Sequence, residues 1–467
     1  MTIRKNSHFG ILRPIRAFCE SEKGSVIPLV GVAFFVIMGV IGMAIDIGRA
    51  QLVESKLMNS MDAAGLAAGA KLNTASVQAE VEKFVDANYP DGYVDSTVTS
   101  IATAVTNGGR TITVSGTAVM QTAFMQLFGV SEVSISATSE ITRAVGGLEL
   151  ALVLDNTGSM SGSKLADLKV ASHELLDVVF GSETVASKLF VGVVPFSQSV
   201  NIGSSRTSWM DNAQIAALDW GTTSWGGCVE ARTGAVDRDT TDDPPTTELF
   251  APYYWPDDDN NNWSRTRRGR TTYDITSSQG PNKSCSAELT AMTNVKATVT
   301  AAIDDMTAEG YTHVNYGAVW GWRMLSPNWR AAWASPHSVD GTDLPLNYNT
   351  PTMNKAAVIM TDGANTFSPD IHGAYGYRSE GRLNGETTNS GAVGELNARL
   401  LQVCTNMKNA GITVYTVAFG DPGTTIETMM EQCASQPDFY FDPSSGADLS
   451  LAFQVIGDSL ANLRVSK

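Results

Sequence analysis

The 467-residue sequence has few of the features that most often identify an enzyme or a nucleic-acid-binding protein. Its 32 lysines and arginines are outnumbered by 48 aspartates and glutamates, and the net charge of −16 argues against nucleic acid or an anionic membrane surface as the main partner. The five histidines form no H-E-x-x-H pair, and both the phosphate-binding G-x-x-x-x-G-K-[ST] loop and the G-x-S-x-G elbow are missing. We therefore expect no catalytic activity.

Cysteine is also scarce. Five cysteines in a chain of this length are too few for a disulfide scaffold. Four of them fall into two pairs that are near in sequence. If the chain after residue 46 is outside the cytoplasm, we expect the disulfides Cys228–Cys285 and Cys404–Cys433, each joining neighbouring elements. Four buried reduced thiols are the alternative.

Residues 25–45 contain no charged side chain and are long enough to cross a bilayer of about 30 Å as one helix. Five basic residues lie in the leader before this run, residues 1–24, which predicts that the leader is cytoplasmic and the rest of the chain extracytoplasmic. A cleaved signal peptide is the alternative. The run is longer than a typical signal core, however, and no A-x-A cleavage site follows it.

Residues 46–145 predict a helix followed by a small β-rich module. Residues 46–89 are rich in good helix formers, whereas alternating patterns from Thr97 onwards predict a hairpin around Asn107-Gly108-Gly109. A short helix near residues 122–128 and a third strand at 132–142 follow. The order is similar to that of pilin-like subunits, and Gly146-Gly147 is the expected hinge to the next domain.

The remaining chain, residues 146–467, alternates strands and helices as α/β domains do. The mostly apolar run 148–154 predicts a buried strand, and similar strands are expected at 188–196, 355–363 and 412–420. Helices are expected at 164–179, 288–306, 315–325, 395–411, 424–434 and 446–463, with a last strand at 438–442. A mostly parallel, Rossmann-like sheet with helices on both faces is the predicted fold.

The first of these strands ends in a loop with oxygen-bearing side chains at alternate positions, Asp155, Thr157 and Ser159. Loops at the carboxyl ends of parallel strands are where such sheets bind ligands, and hard oxygen donors suit Mg²⁺ or Ca²⁺. A plain helix-capping loop is the alternative. The pattern resembles the metal-ion-dependent adhesion site (MIDAS) of von Willebrand factor A-type domains, with Thr157 in place of the first serine.

This resemblance implies two further metal ligands, Thr312 from the loop before residue 315 and Asp362 from the end of the strand 355–363. It implies Mg²⁺, or else Ca²⁺ or Mn²⁺, held with an open position that an aspartate or glutamate of a protein partner completes. An A-type fold whose site binds no metal is the alternative.

An insertion at about residues 200–290 departs from a minimal A-type domain. It is polar but contains five tryptophans, which predict either a small core of its own or an exposed aromatic recognition surface. Asp257-x-Asp259-x-Asn261 faintly resembles a calcium loop, but Asn262 and Arg268 stand where such loops carry Gly and Glu.

Both ends of the chain also resemble one family. Asp46-Ile-Gly-Arg49 and the segment 61–68, after a basic leader and an apolar run, are similar to the N-terminus of TadE/TadG-like Flp (Tad) pilus-assembly proteins, and residues 316–327 look like the A-type domain of the TadG type. The resemblance implies a single-pass protein of the bacterial inner membrane, with most of the chain periplasmic. Its implied role is pilus assembly or adhesion through other pilus components. A surface adhesin for a host or matrix ligand and a metal-independent scaffold are the alternatives.

Overall fold

A computed structural model of the chain describes residues 26–69, 74–106, 111–142, 146–234, 236–276, 278–351 and 353–465. The leader 1–24 and the predicted turn 107–109 lie outside this set. The chain forms two compact units. The first contains residues 26–68, 76–105 and 111–141, and the second contains the described chain from residue 142 onwards, with a few residues from 69–75 and 106–110.

In its described part, the first unit has two helices and a three-stranded sheet in the order β1-β2-β3. These elements are α1 (Val26–Gly69), α2 (Thr74–Asn88), β1 (Ser96–Thr106), β2 (Thr111–Gln121) and β3 (Glu132–Thr142). Buried side chains of α1, such as Val53, Leu57 and Met61, share a core with Ile112 and Val114 of β2. The alternating pattern therefore predicted the strands correctly, because one face of the sheet is covered by helix.

Helix α1 is the one helix in the described chain that is long and apolar enough to cross a membrane. Its 44 residues exceed the charge-free run, and the mean hydropathy of its most apolar 18-residue window is 2.6. Most apolar side chains in the N-terminal half of α1, including Ile27 and Phe35, are exposed, so no protein core covers them within the described residues. The N-terminal half of α1 is therefore an apolar helix of membrane-spanning length.

The second unit has a mixed α/β fold. Its elements in chain order are β4 (Gly147–Asp155), α3 (Ser163–Phe180), β5 (Leu189–Phe196), β6 (Val200–Asn201), α4 (Asn212–Ala217), β7 (Cys228–Val229), β8 (Ser264–Arg267), β9 (Arg270–Tyr273), β10 (Thr290–Thr293), α5 (Lys296–Asp304), α6 (Val314–Leu325), α7 (Arg330–Trp333), β11 (Ser338–Val339), β12 (Thr342–Asp343), β13 (Met353–Thr361), α8 (Asn389–Asn409), β14 (Thr413–Ala418), α9 (Thr424–Cys433), β15 (Tyr440–Phe441) and α10 (Gly446–Val465).

The main sheet of this unit has, among the described residues, six strands in the order β10-β5-β4-β13-β14-β15. All neighbours are parallel except β10, which is antiparallel to β5 at one edge. Numbered by their sequence, the strands run 3-2-1-4-5-6, which is the doubly wound order with its switch point between β4 and β13. The predicted Rossmann-like fold is confirmed.

Helices cover both faces of this sheet, and strand β4 shows why. Its residues Leu150 and Leu152 share a core with α3, α5 and α10, whereas Ala151 and Val153 share a core with α6, α8 and α9. Because successive side chains point to opposite faces, a strand buried on both sides must be apolar at nearly every position. All nine residues of β4 are buried.

Three sequence predictions of local structure are wrong. Residues 290–293 are the edge strand β10 rather than the start of a helix at 288, because pairing with β5 overrides their helical spacing. The expected helix at 122–128 is only a 3-10 turn, Met125–Phe128. Gly147 is not a hinge. It pairs with Met353 at the start of β4, and a side chain there would overlap the sulfur of Met353.

The insertion packs onto the main unit rather than exposing its aromatic side chains. Trp209, Trp225, Trp255 and Trp263 are buried. Trp209 and Trp225 belong to the core of the main unit, against which Trp220 packs, whereas Trp255 belongs to a separate small cluster with Cys228 and Tyr253. The ring of Trp209 lies 5.3 Å from that of Trp329, which follows α6. A disulfide joins Cys228 to Cys285 across the insertion, and a second joins Cys404 to Cys433.

Candidate metal site at the switch point of the sheet

The candidate site lies where the carboxyl ends of β4 and β13 meet. Asp155 is the last residue of β4, and Asp362 directly follows β13. The two strands are parallel neighbours, with Leu154 paired to Met360, so the polypeptide leaves both strands at the same edge of the sheet. The sequence order of the strands thus brings two carboxylates 207 positions apart into one place.

Four of the five predicted ligands are linked by hydrogen bonds. The hydroxyls of Thr157 and Ser159 lie 2.9 Å apart, and Ser159 Oγ donates to Asp362 Oδ1 at 2.6 Å. Asp155 Oδ1 accepts the Thr157 N–H at 2.8 Å, which folds the loop back toward the carboxylate. The loop is therefore a compact group of oxygen donors, and β13 supplies the second carboxylate.

The fifth predicted ligand, Thr312, lies on a neighbouring loop. The Gly158 N–H donates to Gly310 O at 2.9 Å, and the Glu309 N–H donates to Asn156 O at 2.8 Å, so this loop is paired with the first one. Thr312 is buried, and its backbone exchanges hydrogen bonds with Thr366 in the segment after β13. All three loops are thus joined to one another.

The two carboxylates give the site negative charge. Asp155 is fully buried, and burial together with the nearby Asp362 carboxylate raises the pKa of Asp155 to about 6. Hydrogen bonds from Thr157 and Thr361 oppose this effect without cancelling it. Two buried carboxylates that repel each other are the arrangement that a bound cation relieves.

Lys164 is the positive charge that the structure places at the site. It lies in the first turn of α3, and its Nζ is 2.6 Å from Asp362 Oδ2. Lysine is disfavoured at this end of a helix, where the backbone dipole is positive, and that anomaly is the sequence signal that could have identified it. Thr361 was likewise not predicted, and its hydroxyl donates to Asp155 Oδ2 at 2.6 Å.

The donor set fits a hard divalent cation. Among the described residues, no group of three or more His, Cys, Asp and Glu side chains is placed to hold a metal. The site instead combines two carboxylates with hydroxyls, and such all-oxygen sets suit Mg²⁺, Ca²⁺ or Mn²⁺ rather than softer metals. Asp155, Thr157, Ser159 and Asp362 are the residues that would hold it, and Thr312 lies on the loop that is paired with theirs.

A family match was found for the N-terminal part of the chain. Residues 24–71 match the Flp pilus-assembly TadE/G-like family. The segment 24–71 is TadE/G-like. The match covers the described part of α1, including its apolar half and the Asp46-Ile-Gly-Arg49 motif. A comparison with curated proteins finds no match to the chain.

Several solved structures are similar to large parts of this chain. The von Willebrand factor domain of the type V pilus tip protein Mfa5 from Porphyromonas gingivalis is 10% identical, with a TM-score of 0.36 over 69% of this chain and 97% of that one. The pilus adhesin RrgA from Streptococcus pneumoniae is 11% identical, with a TM-score of 0.36 over 77% of this chain and 49% of that one.

A third similar structure is proximal thread matrix protein 1 from the mussel byssus, which was solved with zinc in its MIDAS motif. It is 13% identical, with a TM-score of 0.32 over 68% of this chain and 47% of that one. This chain thus spans about half the length of the mussel protein.

Two other candidate groups in the protein have structural roles. In the suggested calcium loop, Asp257 accepts N–H groups from Trp263 and Ser264, while Asn261 is buried and donates to Gly280 O at 2.8 Å. These side chains hold the loop's backbone instead of converging on an ion. His313, next to Thr312 in the sequence, is buried beside Phe367, and burial lowers its pKa to about 4.

Proposed function

We propose that this protein is a membrane-anchored component of a Flp (Tad) pilus system whose A-type domain binds a protein partner through a divalent metal. The convergence of Asp155 and Asp362 with the hydroxyls of Thr157 and Ser159 at the switch point is the observation that carries the proposal. The TadE/G-like match and the apolar half of α1 support the pilus system and the membrane anchor. The role is non-enzymatic.

The anchor in this proposal is a single span of the bacterial inner membrane, with residues 1–24 in the cytoplasm and the rest of the chain in the periplasm. The basic residues of the leader support this orientation. The disulfides Cys228–Cys285 and Cys404–Cys433 also support it, because such bonds persist in oxidising compartments.

The residues of the site have different roles in this proposal. Asp155 and Asp362 provide the negative charge, Thr361 orients Asp155 through its hydroxyl, and Thr157, Ser159 and Thr312 supply neutral oxygens. A bound divalent cation supplies an electropositive position that a partner's aspartate or glutamate can occupy. Two carboxylates balance the formal charge of a divalent ion without exceeding it, and Lys164 adds a positive charge beside Asp362, so a further acidic ligand from a partner is favoured.

Thermal unfolding of the full chain in detergent tests the metal site. An ion at about 100 times its dissociation constant should stabilise the domain by about 2.7 kcal/mol relative to the protein in EDTA. Mg²⁺, Ca²⁺ and Mn²⁺ are compared in turn, and the shift is expected to vanish in Asp155→Ala. The exposed Asp370 provides the matched control, since Asp370→Ala removes a carboxylate of the same unit and should keep the shift.

Partner capture tests the metal bridge itself. Purified periplasmic pilus components are expected to bind the wild-type protein with the stabilising ion and to lose binding in EDTA or in Asp155→Ala. Binding that survives both changes would support a metal-independent scaffold instead. Recovery of the protein from the outer surface of cells, rather than from the inner membrane, would support a surface adhesin for a host or matrix ligand.

A further inference from the structure

The connection between β2 and β3 is an uncharged loop with an unusual amount of exposed apolar surface. The segment 124–130, Phe-Met-Gln-Leu-Phe-Gly-Val, contains no charged residue. Leu127 is 79% exposed and Phe128 is 62% exposed, and Phe124 and Val130 are also exposed. Apolar residues grouped on one loop in this way mark a surface that another apolar phase covers.

This loop lies against the apolar half of α1. A Cβ atom built on Gly42 would lie 2.8 Å from the side chain of Phe124, and one on Gly39 would lie 2.9 Å from Phe128 Cζ. The two glycines therefore leave the room that the aromatic rings occupy. With a rise of 1.5 Å per residue, Gly39 is about 10 Å from Asp46 along the helix axis, toward the interior of the proposed membrane span.

Asp46 fixes the loop in this place. Its buried carboxylate accepts hydrogen bonds from the N–H groups of Ala123, Phe124 and Met125, at 2.9, 2.8 and 2.8 Å. These are the N–H groups at the start of the 3-10 turn, which have no partner within the turn itself. A single helix residue thus orders the whole loop.

Most of the loop's other polar groups are also satisfied internally, as an apolar environment requires. Backbone N–H groups donate within the loop or across its base, and the amide side chain of Gln126 is used in the same way. The donor–acceptor pairs are Thr122 N to Ser131 O, Leu127 N to Phe124 O, Gly129 N to Gln126 O, Val130 N to Met125 O, Thr122 Oγ1 to Val130 O, and Gln126 Nε2 to Ala123 O.

We propose that residues 124–130 form a membrane wedge that inserts into the lipid bilayer beside α1. The occupant of its apolar face is lipid, because this face is continuous with the exposed apolar side chains of α1 and has no charge. A depth of about 10 Å is typical of elements that lie in the interfacial part of a bilayer. The inference rests on the proposed membrane anchor. In it, Asp46 of the Asp46-Ile-Gly-Arg49 motif holds the wedge against α1.

Spin labels on the full chain in vesicles of phosphatidylethanolamine and phosphatidylglycerol test this proposal. Cys19→Ser removes the one cysteine outside the disulfides, and single cysteines are then introduced as Leu127→Cys, Phe35→Cys or Ala104→Cys. The label at Phe35 reports on the membrane span. The exposed Ala104 is the control outside the membrane. Thr99 of β1 bonds Thr117 O near the end of β2 that leads into the wedge, and Ala104 lies five residues farther along β1, away from that end. Accessibility to oxygen, which concentrates in lipid, is compared with accessibility to a water-soluble nickel complex.

The labels at Leu127 and Phe35 are expected to be accessible to oxygen and protected from nickel, whereas the label at Ala104 should be accessible to nickel. A nickel-accessible Leu127 label beside a lipid-exposed Phe35 label would overturn the wedge and leave the anchor standing. Nickel access at Phe35 would instead contradict the anchor. Protection of the Leu127 label from both reagents would mean that protein, such as a second copy of the chain, covers the loop.

The variant Asp46→Ala tests how the wedge is held. Removing the carboxylate frees three N–H groups, so the Leu127 label should become more accessible to nickel while the Phe35 label is unchanged. The matched control is Glu54→Ala, which removes an exposed carboxylate farther along the same helix. An Asp46→Ala protein in which the Leu127 label stays fully lipid-exposed would show that Asp46 does not position the loop.

Discussion

The ammonium group of Lys164 lies 2.6 Å from the carboxylate of Asp362, which is one of the two acidic residues proposed to bind a metal. The lysine therefore neutralises part of the charge that a cation would neutralise. Because the two positive charges compete for one carboxylate, metal binding at this site must displace or repel Lys164.

Replacing this lysine should therefore strengthen metal binding. We expect Lys164→Met to lower the dissociation constant for Mg²⁺ or Ca²⁺ by about tenfold, equivalent to about 1.4 kcal/mol, as measured by isothermal titration calorimetry. Lys169→Met is the matched control, because Lys169 lies on the same helix and bonds the backbone of Asp304. Equal affinities in the wild-type protein and Lys164→Met would exclude competition between lysine and metal.

A buried ion pair links the two strands that carry the acidic residues. Lys355 of β13 pairs in register with Glu149 of β4, and its ammonium also donates to Leu325 O at 2.9 Å. Lys355→Met should cost about 3–5 kcal/mol of unfolding free energy, because it leaves the Glu149 carboxylate buried without a countercharge. Urea unfolding followed by tryptophan fluorescence measures this cost, since all nine tryptophans follow residue 200.

The double variant Glu149→Gln with Lys355→Met is the control for this pair. Glutamine keeps an acceptor for the Leu346 N–H, which now donates to Glu149 Oε1 at 2.7 Å. Most of the lost stability should return, because no uncompensated charge remains. A double variant as unstable as Lys355→Met would mean that the lysine acts through packing and its backbone contact.

Acid should destabilise the second unit through His372. Burial and the nearby Arg382 lower the pKa of His372 to about 4, and Glu230, at 3.7 Å, is too distant to form a hydrogen bond with it. In the unfolded chain His372 is protonated below about pH 6.5, whereas in the folded chain it stays neutral until about pH 4. The free energy of unfolding therefore decreases as the pH falls from about 6.5 to about 4.

This effect amounts to about 3 kcal/mol between pH 6.5 and pH 4. It should disappear in His372→Gln, whose unfolding free energy is expected to depend less on pH than that of the wild-type protein across this window. Urea unfolding at half-unit pH intervals measures the difference. Parallel pH curves for the two proteins would show that His372 is protonated in the folded state.

Reduction should destabilise the same unit through the bond between α8 and α9. Cys404 and Cys433 are 29 residues apart, and a closed loop of this length stabilises a fold by about 3–4 kcal/mol. We expect a lower melting temperature in Cys404→Ala with Cys433→Ala, and a smaller further effect of reductant than in the wild-type protein. Cys19→Ala is the control and should melt like the wild-type protein. Indifference of all three proteins to reductant would argue for free thiols.

The parts of the fold that were predictable from sequence are those with a strong and regular pattern. Strand β4 is apolar at nearly every position because both its faces are covered, and the loop from Asp155 to Ser159 follows it directly. Edge strand β10 was not predictable, because its four residues have helical spacing and only pairing with β5 makes them a strand. Lys164 was missed for a related reason, since its role depends on Asp362, which is distant in sequence.

The structure of the insertion also could not be predicted from local sequence patterns. Its strands β6 and β7 have two residues each, too few to give a periodic pattern, and they pair with each other beside the disulfide at Cys228. The tryptophan content predicted a packed segment or a recognition surface, and only the tertiary structure, in which Trp209 lies against Trp329, separates the two.

Strand β4 is both the first strand of its unit and a central strand of the sheet, with parallel partners on either side. If a partner holds the candidate site at the carboxyl end of β4, a pulling force applied at Gly146 would act along the axis of this strand. The backbone hydrogen bonds to β5 and β13 would then be loaded in shear, many at once, instead of opening one after another from an end. A domain joined to the rest of its chain through such a strand is built to resist tension.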